Sequence, residues 1–189
     1  MKLLHLDSSI LGENSVSRSV SAAVAAQLKR AHPDLRETYR DLVAQPLDHL
    51  TLQALADTTY VDEFLAADVV VIGAGMYNFG LPTQLKAWID RVAIAGKTFR
   101  YTEAGPQGLA GGKRVIVALA RGGYYGPGAA AEAMEHAETY LRGVFGFFGV
   151  TDVEFIVAEG IAVGPEQRAT AVAGALAAAG NVAPLRQAA

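Results

Sequence analysis

Hydroxyl side chains are concentrated near the N-terminus, in a segment that we call the first loop (residues 7–19). It contains five serines and one asparagine, and a helical pattern begins at Ser17. The free N–H groups and the dipole of a helix N-terminus favour an anion, so this segment predicts a site for a phosphate monoester. The alternative is that Ser15 or Ser17 only caps the helix. The chain lacks G-x-x-x-x-G-K-S/T, which argues against a P-loop for ATP.

Three glycines enclose a run of bulky side chains in a second loop (residues 73–82), which follows an apolar run at residues 69–72. The loop does not match the dinucleotide-binding fingerprint, because its third glycine comes too late and it follows the third predicted strand and not the first. We expect a side wall for a flat heteroaromatic ring, with Asn78 meeting the polar edge of that ring. The alternative is that Met76, Tyr77 and Phe79 pack in the core.

A third loop (residues 120–128) has a similar character, with paired glycines followed by Tyr124 and Tyr125. Paired glycines allow the backbone to approach a ligand closely, and tyrosines offer stacking area. A tight turn with exposed tyrosines is the alternative interpretation.

Strand-like and helix-like segments alternate along the chain. Strands are predicted at residues 3–6, 35–42, 69–72, 113–120 and 153–158, and helices at 17–31, 52–56, 59–67, 82–94, 129–148 and 165–180. The connection 96–112 is expected to be irregular and to cover a site. The pattern predicts an α/β fold, a flavodoxin-like doubly wound five-stranded parallel sheet of order 2-1-3-4-5. The three loops then meet at the ligand-binding edge of the sheet.

Length and composition indicate the broad class of protein. A chain of 189 residues that is 51% hydrophobic suits one packed domain over residues 1–189. A net charge of −3, with both signs mixed, gives no case for nucleic acid or an anionic membrane as partner. Cysteine is absent and no signal peptide or membrane span is evident, so we expect a cytoplasmic protein. The four histidines show no metal-ligand spacing, and no metal site is predicted.

The chain resembles the FMN-dependent NADH-azoreductase family, whose members are flavodoxin-like relatives of the NAD(P)H:quinone reductases. The resemblance extends over the whole chain, and its matching stretches include four short blocks. They are M-Y-N-F at residues 76–79, T-F-x-Y-T-E-x-G-P-x-G-L at 98–109, R-G-G at 121–123 and A-E-G-I-A at 158–162.

This resemblance implies a set of site residues. The implied FMN contacts are Ser9, Ser15, Val16, Ser17, Met76, Tyr77, Asn78, Phe79, Ala120, Arg121, Gly122 and Gly123, and the implied substrate contacts are Tyr101 and Tyr124. The serines and the Val16 N–H would bind the phosphate. Three positions depart from the family: Gly75 replaces a frequent proline, Ala120 replaces a serine that commonly contacts FMN, and Val16 replaces a polar residue between the two phosphate serines.

The resemblance also implies an activity. NADH or NADPH would reduce the flavin, and a quinone or azo compound would take two electrons at the same face, which predicts ping-pong kinetics. No catalytic side chain is predicted, because the flavin carries the chemistry. The family is homodimeric, with each site completed by the partner subunit. The alternative is a flavodoxin-type electron carrier, which predicts a strongly acidic face unlike the mixed charge of this chain.

Overall fold

The computed structural model describes residues 1–185 and has a parallel sheet at its centre. In chain order the elements are β1 (Lys2–Asp7), α1 (Val16–Ala31), β2 (Arg36–Asp41), α2 (Thr59–Ala66), β3 (Val69–Gly75), α3 (Thr83–Val92), β4 (Phe99–Thr102), β5 (Gly105–Gly108), β6 (Arg114–Ala120), α4 (Ala137–Phe147), β7 (Asp152–Ala158) and α5 (Pro165–Gly180). The main sheet has five strands in the order β2-β1-β3-β6-β7. This is the predicted flavodoxin-like order, because β6 and β7 are its fourth and fifth strands. Residues 186–189 of the predicted domain lie outside the described residues.

Helices cover both faces of the sheet, because side chains of the central strands alternate between two apolar layers. Val70 and Ile72 of β3 pack with α2, α3 and α4, around Trp88. Val69 and Val71 pack with α1 and α5 on the opposite face. None of the described helices combines the length and the apolar character needed to cross a membrane.

The expectation of an irregular connection at residues 96–112 is wrong. Strands β4 and β5 form an antiparallel hairpin there, with Phe99 opposite Gly108. The hairpin is anchored by a close backbone approach, because a Cβ on Gly108 would lie 2.1 Å from the amide nitrogen of Gly149. Phe99 also packs against Phe147, with 4.6 Å between the ring centroids. Glycine and proline in β5 hide its strand character in the sequence.

The predicted helix at residues 129–148 is also wrong at its start. A short 3-10 turn occupies Glu132–Met134, and α4 begins only at Ala137. The carboxylate of Glu135 accepts hydrogen bonds from the N–H groups of Ala137, Glu138 and Thr139 at 2.8–3.0 Å. These are N–H groups that a helix start leaves without a partner, so Glu135 sets where α4 begins. The predicted helix at residues 52–56 is likewise a 3-10 turn, Gln53–Ala56.

Candidate functional site

The three loops lie at one edge of the sheet, where the parallel strands β1, β3 and β6 end. In the register, Asp7 lies opposite Gly73, and Gly75 lies opposite Ala120. Direct contacts join the loops: Ser9 Oγ lies 2.9 Å from the hydroxyl of Tyr77. The Met76 N–H donates to the Ala120 carbonyl at 2.8 Å. The structure therefore brings residues of all three loops together.

The first loop ends in a capped helix with free donors. Ser15 is the N-cap of α1, and its Oγ accepts from the Arg18 N–H at 3.3 Å and lies 3.1 Å from Ser17 Oγ. Ser15 therefore does cap the helix. The N–H groups of Val16 and Ser17 make no hydrogen bond to any residue from 1 to 185. Two amide donors beside two hydroxyls form an arrangement suited to an anion.

A buried carboxylate, that of Asp7, makes hydrogen bonds at the start of the first loop. Asp7 is 3% exposed and accepts hydrogen bonds from the hydroxyls of Ser21 at 2.8 Å and Tyr39 at 3.0 Å. Partial burial and the negative charge of Asp7 raise the pKa of Tyr39 to about 12, so its hydroxyl remains a donor at neutral pH. A Cβ on Gly73 would lie 2.2 Å from the Asp7 carboxylate, so only glycine fits there. Sequence reasoning missed these supports, although Asp7 directly follows a predicted strand.

The second loop contains a strained two-residue turn. The backbones of Tyr77 and Gly80 exchange two hydrogen bonds of 3.0 Å. Between them Asn78 and Phe79 have φ angles of 48° and 69°, the left-handed pair of a type I′ turn. A bulky residue rarely adopts this conformation, and such strain clusters at ligand sites. Phe79 is 40% exposed at this turn, so it is a surface residue. Met76, in contrast, packs partly against the core.

The third loop is paired with the loop after β7. The carbonyls of Gly122 and Gly123 accept from the N–H groups of Ala162 and Gly160 at 2.9 and 3.0 Å. The N–H groups of the two glycines make no hydrogen bond to any residue between 1 and 185. Like the start of α1, this segment offers free backbone donors at the shared edge.

Arg121 lies in an ion-pair network that sequence reasoning did not anticipate. Its side chain is 4% exposed and contacts Glu138 at 2.6 Å, Glu135 at 3.3 Å and Glu159 at 3.4 Å. Glu159 also accepts from the N–H groups of Tyr125 and Gly126 at 2.5 and 2.8 Å. The Arg121 guanidinium is thus engaged by the protein and ties the third loop to α4 and to the loop after β7.

The structure places the two predicted substrate tyrosines in different surroundings. Tyr124 is half exposed in the third loop, where its ring packs so closely on Gly160 that a Cβ there would lie 2.9 Å away. Tyr101 is 75% exposed on the β4–β5 hairpin, and its ring contacts Phe99 at a centroid distance of 5.6 Å.

The hairpin that carries Tyr101 packs at one end of α4, whereas the second loop lies at the other end. Phe99 packs on Phe147, the last residue of α4. The other end of α4 lies beside the second loop, where the His136 N–H donates to the Phe79 carbonyl at 3.1 Å. The helix between them has 11 residues, a length of roughly 16 Å at about 1.5 Å per residue.

Comparison with known proteins identifies the family. The flavodoxin-like fold family matches residues 1–182. An FMN-dependent NADH:quinone oxidoreductase 2 of Bradyrhizobium diazoefficiens is 58% identical, and the match covers 95% of this chain and 97% of that protein. The chain belongs to the FMN-dependent NADH:quinone oxidoreductase family. A second family member, from Rhizobium meliloti, is 57% identical over 98% of this chain and 99% of its own.

The chain is also similar to solved structures of azoreductases. An azoreductase from Bacillus anthracis matches with a TM-score of 0.87 and 31% identity, over 95% of this chain and 97% of that chain. An FMN-dependent NADH-azoreductase of the same species, solved in complex with FMN, matches with a TM-score of 0.82 and 25% identity, over 94% of this chain and 97% of that chain. The family resemblance seen in the sequence is confirmed.

Proposed function

We propose that this protein binds FMN at the three loops and passes two electrons from NADH to a quinone. The observation that carries the proposal is the set of free N–H groups at the start of α1 and in the third loop. They share an edge with the strained turn at Asn78 and Phe79. A phosphate at one end and a flat ring with polar edges at the other fit this donor set.

The residues divide the work of holding FMN. Ser9, Ser15 and Ser17, with the Val16 N–H, would bind the phosphate. Residues 76–79, Ala120 and the N–H groups of Gly122 and Gly123 would border the ring. FMN, when bound, supplies the redox chemistry by accepting a hydride from the nicotinamide and giving two electrons to the acceptor. The protein binds and orients, and Arg121 stabilises the third loop through its carboxylate partners.

Names of the relatives support the choice of substrates. Curated relatives are named as NADH:quinone oxidoreductases, and the solved relatives as azoreductases. We therefore propose NADH as donor, a quinone as acceptor, and azo compounds as further acceptors. Phe79 and Tyr124, both partly exposed at the shared edge, would flank a planar acceptor.

We also propose that the active unit is a homodimer. Tyr101 is largely exposed on a hairpin that packs at the end of α4 opposite the end beside the second loop. A substrate role for Tyr101 therefore requires a second copy of the chain that places this hairpin over the site of its partner.

Replacement of one buried hydroxyl tests the phosphate site. Ser17→Ala removes a donor and should weaken FMN binding about tenfold, as expected for loss of one hydrogen bond to a charged group. Ser19→Ala is the matched control, because its hydroxyl is on the same helix but donates to the Ser15 carbonyl. Titration of the apoprotein with FMN measures both affinities. An unchanged affinity in Ser17→Ala would remove Ser17 from the phosphate site.

A further inference from the structure

Arg18 follows directly after the proposed phosphate contacts, and its charge makes it an obvious candidate phosphate ligand. The structure uses its side chain differently. Nε and Nη2 donate to the Ser9 carbonyl at 3.1 and 2.9 Å. Nη1 and Nη2 donate to the two carboxylate oxygens of Asp41 at 2.7 and 2.8 Å, and Nη1 also reaches the Tyr39 hydroxyl at 3.5 Å. An arginine has five N–H donors, and these contacts occupy all of them.

Asp41 also makes several hydrogen bonds. One of its carboxylate oxygens also accepts from the N–H groups of Val43 and Ala44 at 2.9 and 3.2 Å. The hydrogen bond from Arg18 lowers the pKa of Asp41 to about 2, so this carboxylate is ionised at any pH at which the protein would work. The ion pair thus joins the end of β2 to the first loop.

Ser9 is the residue on which this pair acts. Its carbonyl accepts two hydrogen bonds from Arg18, while its hydroxyl lies 2.9 Å from that of Tyr77. The backbone position of Ser9 therefore decides where its hydroxyl points between the first and second loops. Neither Arg18 nor Asp41 needs to contact a ligand to have this effect.

We propose that Arg18 and Asp41 form a clamp that positions Ser9 for the cofactor phosphate without touching the phosphate. This inference rests on the proposed binding of FMN at the three loops. Arg18 and Asp41 are accordingly positioning residues, and they act through the geometry of the Ser9 backbone.

The clamp and a direct phosphate contact predict opposite effects of one substitution. Asp41→Asn removes a negative charge and frees the guanidinium, so a direct or purely electrostatic role of Arg18 predicts tighter FMN binding. A clamp predicts weaker binding, because Arg18 then loses the bidentate partner that fixes its orientation. Arg18→Lys keeps the charge but loses the planar fork, so the clamp predicts weaker binding there as well.

Titration of the apoprotein with FMN and with riboflavin, followed by flavin fluorescence, distinguishes these roles. Riboflavin lacks the phosphate. If the clamp positions the phosphate site, its loss in a variant should weaken FMN binding more than riboflavin binding. We expect Asp41→Asn and Arg18→Lys each to weaken FMN binding about tenfold and riboflavin binding less than threefold. The double variant should be no weaker than the worse single variant, because both changes break one clamp.

Two exposed residues give matched controls. Arg30→Lys makes the same change on the same helix, and Asp34→Asn removes a carboxylate before β2, at the opposite end from Asp41. Both controls should bind FMN within twofold of the wild type. Circular dichroism of each apoprotein checks folding, and if Asp41→Asn does not fold, Asp41→Ser takes its place, because it also removes the carboxylate and frees the guanidinium of Arg18.

Several results would overturn the clamp. If Asp41→Asn binds FMN as tightly as the wild type, or more tightly, Arg18 has a direct or electrostatic role and not a positioning one. Equal losses for FMN and riboflavin reduce the pair to a general structural contact. In both cases the wild type still binds FMN and the proposed function stands. A wild type that binds neither flavin removes the proposed function and the clamp together.

Discussion

The strained turn of the second loop predicts that glycine is more stable than alanine at position 79, the reverse of the usual order in a helix. Phe79 has a φ angle of 69°, in the left-handed region that disfavours side chains. Phe79→Ala keeps a Cβ in this conformation, whereas Phe79→Gly removes it. Both lose the edge contact with the Tyr125 ring, whose centroid lies 6.1 Å away, so that loss cancels in the comparison.

The size of the difference follows from two opposing effects. A left-handed conformation costs a residue with a side chain about 1–2 kcal/mol. Glycine is more flexible in the unfolded chain, which costs about 0.5–1 kcal/mol. Phe79→Gly should therefore be more stable than Phe79→Ala by about 0.5–1 kcal/mol. With a urea dependence of about 2 kcal/mol per molar, the midpoint difference is roughly 0.25–0.5 M.

Urea unfolding of the apoproteins measures this difference. Ala26→Gly, at an exposed helical position in α1, is the control and should be less stable than the wild type by about 1 kcal/mol. Glycine is thus expected to be the better residue at position 79 and the worse one at position 26. A Phe79→Ala variant as stable as Phe79→Gly would refute the assignment of strain to this turn.

Three further changes have expected outcomes. Gly73→Ala should lower the free energy of unfolding by about 2 kcal/mol, measured in urea, because its Cβ would lie 2.2 Å from the Asp7 carboxylate. The Arg18–Asp41 pair should stabilise the fold fully above pH 3.8 and lose this contribution as the pH falls through about 2, because Asp41 then becomes protonated. In acid unfolding, the stability of Asp41→Asn should therefore not show this loss. Tyr101→Ala should slow quinone reduction and leave FMN affinity within twofold; the reverse pattern would exclude a substrate role.

The architecture and the meeting of the loops could be predicted from local patterns. The unbroken apolar run at residues 69–72 indicates a strand buried on both faces, and it forms the centre of the sheet. Once the strand order is known, the loops after β1, β3 and β6 must share an edge. The positions of these loops therefore follow from periodicity and topology alone.

The supporting contacts could not be predicted, because they join residues far apart in the chain. Arg18 and Asp41 are 23 positions apart, and Arg121 and Glu159 are 38 apart. No periodic pattern links such residues. The start of α4 could not be predicted for a different reason. In the sequence, Glu135 is compatible with a continuous helix, and only the structure shows that its carboxylate accepts hydrogen bonds from the first N–H groups of α4.

The position of the hairpin that carries Tyr101 has a topological cause. The hairpin that carries Tyr101 packs at the end of α4, and only the folded chain shows that this end is remote from the second loop. The sequence blocks do not show at which end of α4 this hairpin packs.

Anaerobic reduction of the FMN-loaded protein tests the central claim most directly. The purified protein, supplied with FMN, should show a visible flavin spectrum that NADH bleaches and a quinone then restores. A colourless protein that acquires no flavin spectrum with added FMN would contradict the account. A bound flavin that NADH leaves oxidised would instead favour a one-electron carrier.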